Sequence, residues 1–192
     1  MLSYFYMNST QQNLLKAFAG ESQARNKYQT FAKIARKEGQ EWIARVFEET
    51  ADNERVHAEE LFELITEPVQ TEGNLGIVPA YETTVENLEV AAEGERYEWT
   101  KMYPDFEEMA KSDKETEAIK LFGELKEVEE KHEERYIILA KKLDSKTLYS
   151  SDVELEWKCV NCGYIHKGKT PPPTCPLCKK PFSWYMPIGL VR

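Results

Sequence analysis

Apolar residues in the first 144 positions recur at alternating steps of three and four, the repeat of one face of an α-helix, in four long runs. The first run reads Leu14, Phe18, Glu21, Arg25, Tyr28, Ala32, Ala35, with Ala24 and Phe31 beside it. It predicts a helix from about Thr10 to Glu38, ending near Gly39. Asn8, Ser9 and Thr10 offer N-cap oxygens, and Gln12 is placed to complete a capping box from Ser9. A second helix follows to about Thr66 with the stripe Ile43, Phe47, Thr50, Glu54, His57, Leu61, Leu64. Pro68, Gly73, Gly76 and Pro79 then break the pattern over 67–80. The third helix is expected from about Tyr81 to Lys111, with the stripe Leu88, Ala91, Glu95, Glu98, Met102, Met109 and a kink at Pro104. Ser112 and Asp113 mark the turn into the fourth, whose stripe is Phe122, Leu125, Glu129, His132, Tyr136, Leu139, Leu143, and which ends near Asp144.

All four stripes are apolar at their ends and carry carboxylates or imidazoles in the middle. A buried Glu without a partner is costly, so these positions need a counter-charge. Glu54–His57 and Glu129–His132 are both E-x-x-H, a spacing that places two side chains about 5–6 Å apart at Cβ on one helix face, within reach of one metal ion.

Depth along the helices agrees. From the turn at Gly39, Glu21 lies 18 residues back and His57 18 forward; from Ser112, Glu95 lies 17 back and Glu129 17 forward. The halves repeat: Glu54 to Glu129 and His57 to His132 are each 75 residues, and Glu21 to Glu95 is 74.

Two Glu plus E-x-x-H hairpins thus face each other across a pseudo-two-fold, giving an all-α, ferritin-like four-helix bundle with two metals. That topology needs a long crossover between helices 2 and 3. Fourteen residues extend to about 46 Å, enough to pass along a 28-residue helix of about 42 Å. The carboxylate-rich ligand set suits iron or manganese better than a thiolate-preferring ion.

Glu98 is an additional stripe carboxylate, and Tyr28 and Tyr103 are candidates to hydrogen-bond the ligand carboxylates. Glu59, Glu60, Glu63, Glu127, Glu130, Glu133 and Glu134 fall off the stripes and read as solvated.

A polar linker, roughly Ser145 to Glu156, leads to a tail rich in Pro, Gly, Cys and aromatics. Cys159-x-x-Cys162 and Cys175-x-x-Cys178, separated by twelve residues, have the spacing of a tetrahedral four-thiolate site, for which iron and zinc are both suitable. Trp157, Tyr164, Phe182, Trp184 and Tyr185 are expected to form its small core, and His166 to sit in the loop between the knuckles, facing solvent. The division expected is 1–146 for the bundle and 147–192 for linker and tail.

A net charge of −9 argues against binding nucleic acid or an anionic membrane, and no apolar run approaches the roughly 20 residues of a membrane span. Met1–Met7 lacks the basic start and cleavage site of a signal peptide, and two C-x-x-C pairs without such a signal indicate metal binding in a cytoplasmic protein.

Together Glu21, Glu54-Arg-Val-His57, Gly94-Glu95-Arg-Tyr-Glu98 with Met102-Tyr103-Pro104, Glu129-Glu-Lys-His132 and the C-x-x-C-G-Y and C-P-x-C knuckles resemble the rubrerythrin family over nearly the whole chain. The resemblance implies a non-haem di-iron centre, an iron tetrathiolate, and reduction of hydrogen peroxide to water in oxidative-stress defence. It implies that Glu54 and Glu129 bridge two irons, that Glu21 and Glu95 are terminal ligands, and that His132 binds one iron. Glu98 and His57 would exchange at the other iron with redox state. One departure is Lys179, where small rubredoxins usually carry Gly.

Without a G-x-G-x-x-G motif after a strand, NAD(P)H would act through a separate reductase or rubredoxin-type donor. The 12-residue linker suits the family's head-to-tail homodimer, or a larger homo-oligomer. The competing readings are a ferroxidase or iron-storage protein with a structural zinc ribbon, and a zinc-ribbon module that binds nucleic acid. The latter leaves the stripe glutamates unexplained.

Overall fold

The computed structural model describes residues 9–71, 76 and 78–189; Asn8, Gly73 and the Met1–Met7 extension lie outside them. Helices α1 (Ser9–Lys37) and α2 (Glu41–Glu63) form an antiparallel hairpin closed by Gly39, whose φ of 77° lets the Gln40 amide return to the Ala35 carbonyl at 2.8 Å. After the crossover, α3 (Thr84–Tyr97) begins at a capping box between Thr83 and Glu86, three residues later than the pattern suggested. The amide of Thr84 also donates to Glu38 at 2.8 Å, tying the start of α3 to the end of α1.

The expected third helix is not simply kinked at Pro104. Glu98–Met102 forms a π-helical turn, in which the Tyr103 amide reaches back to the Glu98 carbonyl, and α4 (Tyr103–Asp113) continues from it with Pro104 in its first turn. The proline is accommodated by widening the helix ahead of it. Lys114, at φ 63°, then turns the chain into α5 (Thr116–Asp144).

The π turn explains an irregularity in the repeat. Tyr28 and Tyr103 are 75 residues apart, as are the two E-x-x-H motifs, but Glu21 and Glu95 are 74 apart. One extra residue therefore lies between Glu95 and Tyr103 compared with Glu21 and Tyr28, and the π turn occupies that interval.

The bundle interior has two apolar halves. One, toward Gly39, gathers Phe31, Ile43, Phe47, Leu88, Tyr136 and Leu139; the other gathers Leu14, Leu61, Tyr103, Phe122 and Leu125. The polar stripe residues lie between them.

Beyond α5, the linker does not hold the tail away from the helices. Leu148 is buried in the bundle core, and Tyr149 stacks edge-on against Trp42 (6.1 Å between centroids) and Phe182 (5.0 Å). The tail is a three-stranded antiparallel sheet ordered β2 (Ile165–Gly168), β1 (Leu155–Cys159), β3 (Tyr185–Pro187).

Its core differs in part from expectation. Trp157 and Tyr185 are buried, whereas Tyr164 and Phe182 are exposed, Phe182 being used against Tyr149 instead. His166 lies in β2 opposite Trp157, half-buried, not in a loop. Period-two strands of four or five residues are too short to read against knuckle turns in sequence.

The Ser9–Gln12 capping box is replaced by a cap from another helix. Asp113 Oδ2 accepts from Ser9 Oγ (2.9 Å), Thr10 N (3.0 Å) and Thr10 Oγ1 (2.7 Å), and these bonds hold its carboxylate below the usual range. Asp113→Ala is expected to cost about 1–2 kcal/mol, as cap removals do, and to lower the bundle's Tm by about 2–8 °C by circular dichroism. An unchanged Tm would show that the α1 terminus is held elsewhere.

Candidate metal centre

Midway along the bundle the stripe residues converge. Ligand atoms of Glu21, Glu54, His57 and Glu129 all lie within 4.8 Å of one another, and so do those of Glu54, Glu95, Glu129 and His132. The two groups share Glu54 and Glu129, so each of these carboxylates has one oxygen for either position. His57 Nδ1 lies 2.7 Å from Glu54 Oε2 and 3.2 Å from Glu129 Oε1; His132 Nδ1 lies 2.8 Å from Glu129 Oε2 and 3.4 Å from Glu54 Oε1. The imidazole centroids are 6.0 Å apart.

The donor set fits metal ions. Eight buried atoms of these six residues, both oxygens of Glu54 and of Glu129, one each of Glu21 and Glu95, and Nδ1 of both histidines, make no hydrogen bond. Buried polar atoms are almost always paired, so a convergent set of orphans that are all Lewis bases points to cations. Four carboxylates and two imidazoles, presented as two overlapping groups, match the ferritin-like di-metal pattern.

The remaining terminal oxygens are held by tyrosines. Tyr28 on α1 donates to Glu95 Oε1 on α3, and Tyr103 on α4 donates to Glu21 Oε1 on α1, each hydroxyl crossing to the opposite half. The tyrosines and both carboxylates are buried.

Glu98 belongs to neither group. It is half-buried on the π turn, one turn beyond Glu95, and burial, reinforced by the carboxylates of Glu95, Glu129 and Glu54, pushes its pKa up. Sequence reasoning missed Glu133. It was read as solvated but is buried, accepting from Arg96 Nε (2.6 Å) and Trp99 Nε1 (2.5 Å). Its position four residues after Glu129, facing a basic and an indole partner from the third helix, is a signal visible only once the helix pairing is known. Among the other off-stripe glutamates, Glu59, Glu60, Glu63, Glu127 and Glu134 are exposed and Glu130 is half-buried.

In the tail, Cys159 Sγ and Cys178 Sγ are 3.6 Å apart, Cys162 Sγ and Cys175 Sγ 3.7 Å, and all four sulfurs lie within 4.8 Å of one another. A tetrahedron with bonds of about 2.3 Å has edges of about 3.8 Å, so the sulfurs are already at tetrathiolate spacing. Backbone amides point at them: Asn161 and Cys162 at Cys159, Tyr164 at Cys162, Leu177 and Cys178 at Cys175, Lys180 at Cys178. Burial works to raise Cys175, but the Cys178 amide and its other neighbours prevail and bring it to about 6. Gly163 has φ 78° and Lys179, in the equivalent place of the second knuckle, φ 64°.

The chain matches the family model described as rubrerythrin over residues 12–140 and that of the rubrerythrin rubredoxin-like domain over 157–184. It is 41% identical to rubrerythrin-1 of Clostridium acetobutylicum over 92% of each chain. It is 39% identical to rubrerythrin of Porphyromonas gingivalis, covering 94% of this chain and 90% of that one. A structure of nigerythrin in a mixed-valence state superposes with TM-score 0.65 at 36% identity, over 97% of this chain and 90% of that one. Bacterioferritin BfrA of Mycobacterium tuberculosis, at 19% identity and TM-score 0.65, shares the bundle fold.

Two predictions follow from the ligand sets. Burial, then the charge of Glu54, pushes Glu95 up to about 7 from an ordinary 4.5, so its contribution favours the metal-free fold below pH 4.5 and is lost as pH rises through 7. Burial opposes protonation of His57, but Glu129 and Glu54 outweigh it and raise the imidazole from 6.5 to about 9; its contribution is lost as pH rises from 6.5 through 9. Glu54 acts oppositely: burial works to raise it, the imidazoles of His132 and His57 hold it at about 2, and its contribution is lost only as pH falls from 4.5 through 2. The metal-free protein should therefore melt at progressively lower temperature from pH 6 to 9 in calorimetry, and added divalent metal should reverse the trend because ligands bind deprotonated. A profile that is flat or rises without metal would contradict the ligand-set electrostatics.

The second concerns Lys179, whose left-handed backbone costs a non-glycine residue about 1 kcal/mol. Lys179→Gly should raise the denaturant midpoint for loss of the tetrathiolate absorbance by up to that amount, and a lowered midpoint would show that the bond from Lys179 Nζ to Pro176 O (2.8 Å) matters more.

Proposed function

The chain belongs to the rubrerythrin family, which joins a ferritin-like di-iron bundle to a rubredoxin-like tetracysteine tail, and we propose that it reduces hydrogen peroxide to water. The observation that carries the reading is the pair of four-residue groups sharing Glu54 and Glu129, with a fifth carboxylate, Glu98, beside but outside them. Glu54 and Glu129 would bridge two irons, Glu21 and Glu95 would be terminal ligands, and His57 and His132 would each bind one. A ferrous pair supplies the two electrons that cleavage of an O–O bond requires.

The protein's own groups handle binding and protons. Tyr28 and Tyr103 fix Glu95 and Glu21 by their hydroxyls, which leaves the second oxygen of each free to ligate. Glu98, on a π turn that gives its backbone a position outside the α-helical register, is the carboxyl available to hold and deliver a proton at the departing oxygen. It is also the group that would change places with His57.

Cys159, Cys162, Cys175 and Cys178 would hold one iron that passes single electrons to the pair. The reductant would be an external carrier of the rubredoxin or NAD(P)H-reductase type, and the setting cytoplasmic. No helix among the described residues is long and apolar enough to cross a membrane.

The tail meets its own bundle at the Gly39 end: Tyr149 donates to Gln40 Oε1 (3.2 Å), and the Arg45 guanidinium lies 5.9 Å from the Trp184 ring. Trp42 is twelve residues from Glu54 along α2, about 18 Å of helix. That separation supports a head-to-tail homodimer, in which a neighbour's tail serves each di-iron site.

Addition of peroxide to the anaerobically reduced protein should restore the ferric-tetrathiolate bands faster than addition of air. Faster recovery with air would favour the ferroxidase reading instead, and a colourless tail its zinc ribbon. Glu98→Gln, which keeps size but not the proton, should lower peroxide turnover by about 100-fold while two irons per bundle are retained. Undiminished turnover would remove Glu98 from the reaction.

A further inference from the structure

Charge is divided unevenly along the chain. Residues 157–192 contain five lysines, one arginine and no Asp or Glu, a net +6, so residues 1–156 carry −15 of the total −9. A cationic module is therefore attached to a strongly anionic bundle.

Within the module, Cys159 and Cys175 are buried and Cys162 and Cys178 are half-exposed, so the metal site has one edge toward solvent. Around that edge stand Leu177, 65% exposed and the most exposed large hydrophobic among the described residues, with Tyr164 and Ile165. Lys179 follows Cys178 directly, and Lys158, exposed, faces outward on β1 opposite Ile165 on β2. The module's other side is occupied: Trp184 takes the Lys180 ammonium at 4.3 Å and faces Arg45 of the bundle, and Met186 packs against the bundle core.

We propose that this apolar, lysine-flanked edge is the docking surface for an acidic one-electron carrier protein. On the peroxidase reading, the tetrathiolate is refilled one electron at a time. The reduced carrier loses one electron, the ferric tetrathiolate gains it, and no bond or proton moves. A carrier that must leave after each transfer needs a small contact guided by charge, since redox encounters bury little surface and opposite potentials accelerate their association. Three exposed apolar side chains and two lysines form a patch of that kind; a permanently bound second copy would call for a larger apolar area.

The test uses the full-length, iron-loaded, oxidised protein and reduced flavodoxin as an acidic probe, with bleaching of the ferric-tetrathiolate bands followed anaerobically by stopped flow. The second-order rate should fall at least tenfold between 20 and 300 mM NaCl. The double variant Lys158→Glu, Lys179→Glu should react at least tenfold more slowly at low salt and lose the salt dependence. Photoreduced riboflavin should bleach parent and variant alike.

A variant that reacts with flavodoxin at the parental rate overturns the proposal. So does a variant whose oligomer dissociates in sedimentation while its flavodoxin rate per tail is unchanged, which would assign the edge to a second copy.

Absence of ferric bands would defeat the iron reading alone. The zinc-loaded chain, titrated with oxidised flavodoxin by NMR, then still decides on docking: shifts at Lys158, Tyr164 and Leu177 support it, and unshifted signals, or tighter binding of a single-stranded oligonucleotide, overturn it.

Discussion

Four carboxylates buried in an apolar helical interior are the constraint around which this molecule is built. Removing a charge from water costs several kcal/mol even after relaxation, and like charges a few ångströms apart add to it. Glu21, Glu54, Glu95 and Glu129 are each no more than 1% exposed. Without cations the cluster resolves the conflict by unequal protonation: burial, with neighbouring carboxylates, pushes Glu21 and Glu95 up, while Glu54 is held down by two imidazoles whose own proton affinities rise. Two divalent ions carry a charge equal and opposite to four carboxylates, which removes the conflict without protons. Glu98, half-buried on the π turn, is then the next carboxylate at hand for a pair of higher charge.

The same constraint explains the symmetry. A hairpin that carries Glu plus E-x-x-H on its inner face cannot bury that face against an ordinary apolar partner, but it can bury it against a copy of itself with ions between. Tyr28 and Tyr103 strengthen the pairing, because each binds the terminal carboxylate of the other half. Symmetry is broken where the second half inserts one residue between Glu95 and Tyr103. The insertion is absorbed as a π turn in place of a loop, which keeps Tyr103 on the inner face and adds Glu98 to one half only.

Much of this could be read from periodicity. The stripes placed Glu54, His57, Glu129 and His132 on inner faces because the spacings of three and four residues are properties of any α-helix, and the common depth of the acidic residues required only counting. What could not be read depended on contacts between segments distant in sequence. Asp113 caps α1 from more than a hundred residues away, and Glu133 is buried only because Arg96 and Trp99 of the facing helix meet it. The linker looked polar and free, yet Leu148 and Tyr149 were enough to seat it on the Gly39 end. The π turn was hidden for a different reason: Pro104 announces a disturbance, and a kink satisfies the same local sequence, so only the 74-residue offset among 75-residue ones marked an extra residue.

The seating of the tail has a consequence for the direction of electron flow. Tyr149, Trp184 and Met186 fix one side of the tail against the bundle, and two of the four cysteines are buried. A single edge, that of Cys162 and Cys178, is then left for both arrival and departure of electrons. A donor and an acceptor that need the same edge cannot hold it together, so neither contact can be tight at that face if turnover is to proceed. A lysine-flanked rim with few apolar side chains meets this condition, since charge speeds approach without much slowing release, whereas a broad apolar interface would lengthen residence and block the next partner. The absence of acidic residues from 157–192, in a chain otherwise crowded with them, is consistent with that kinetic demand.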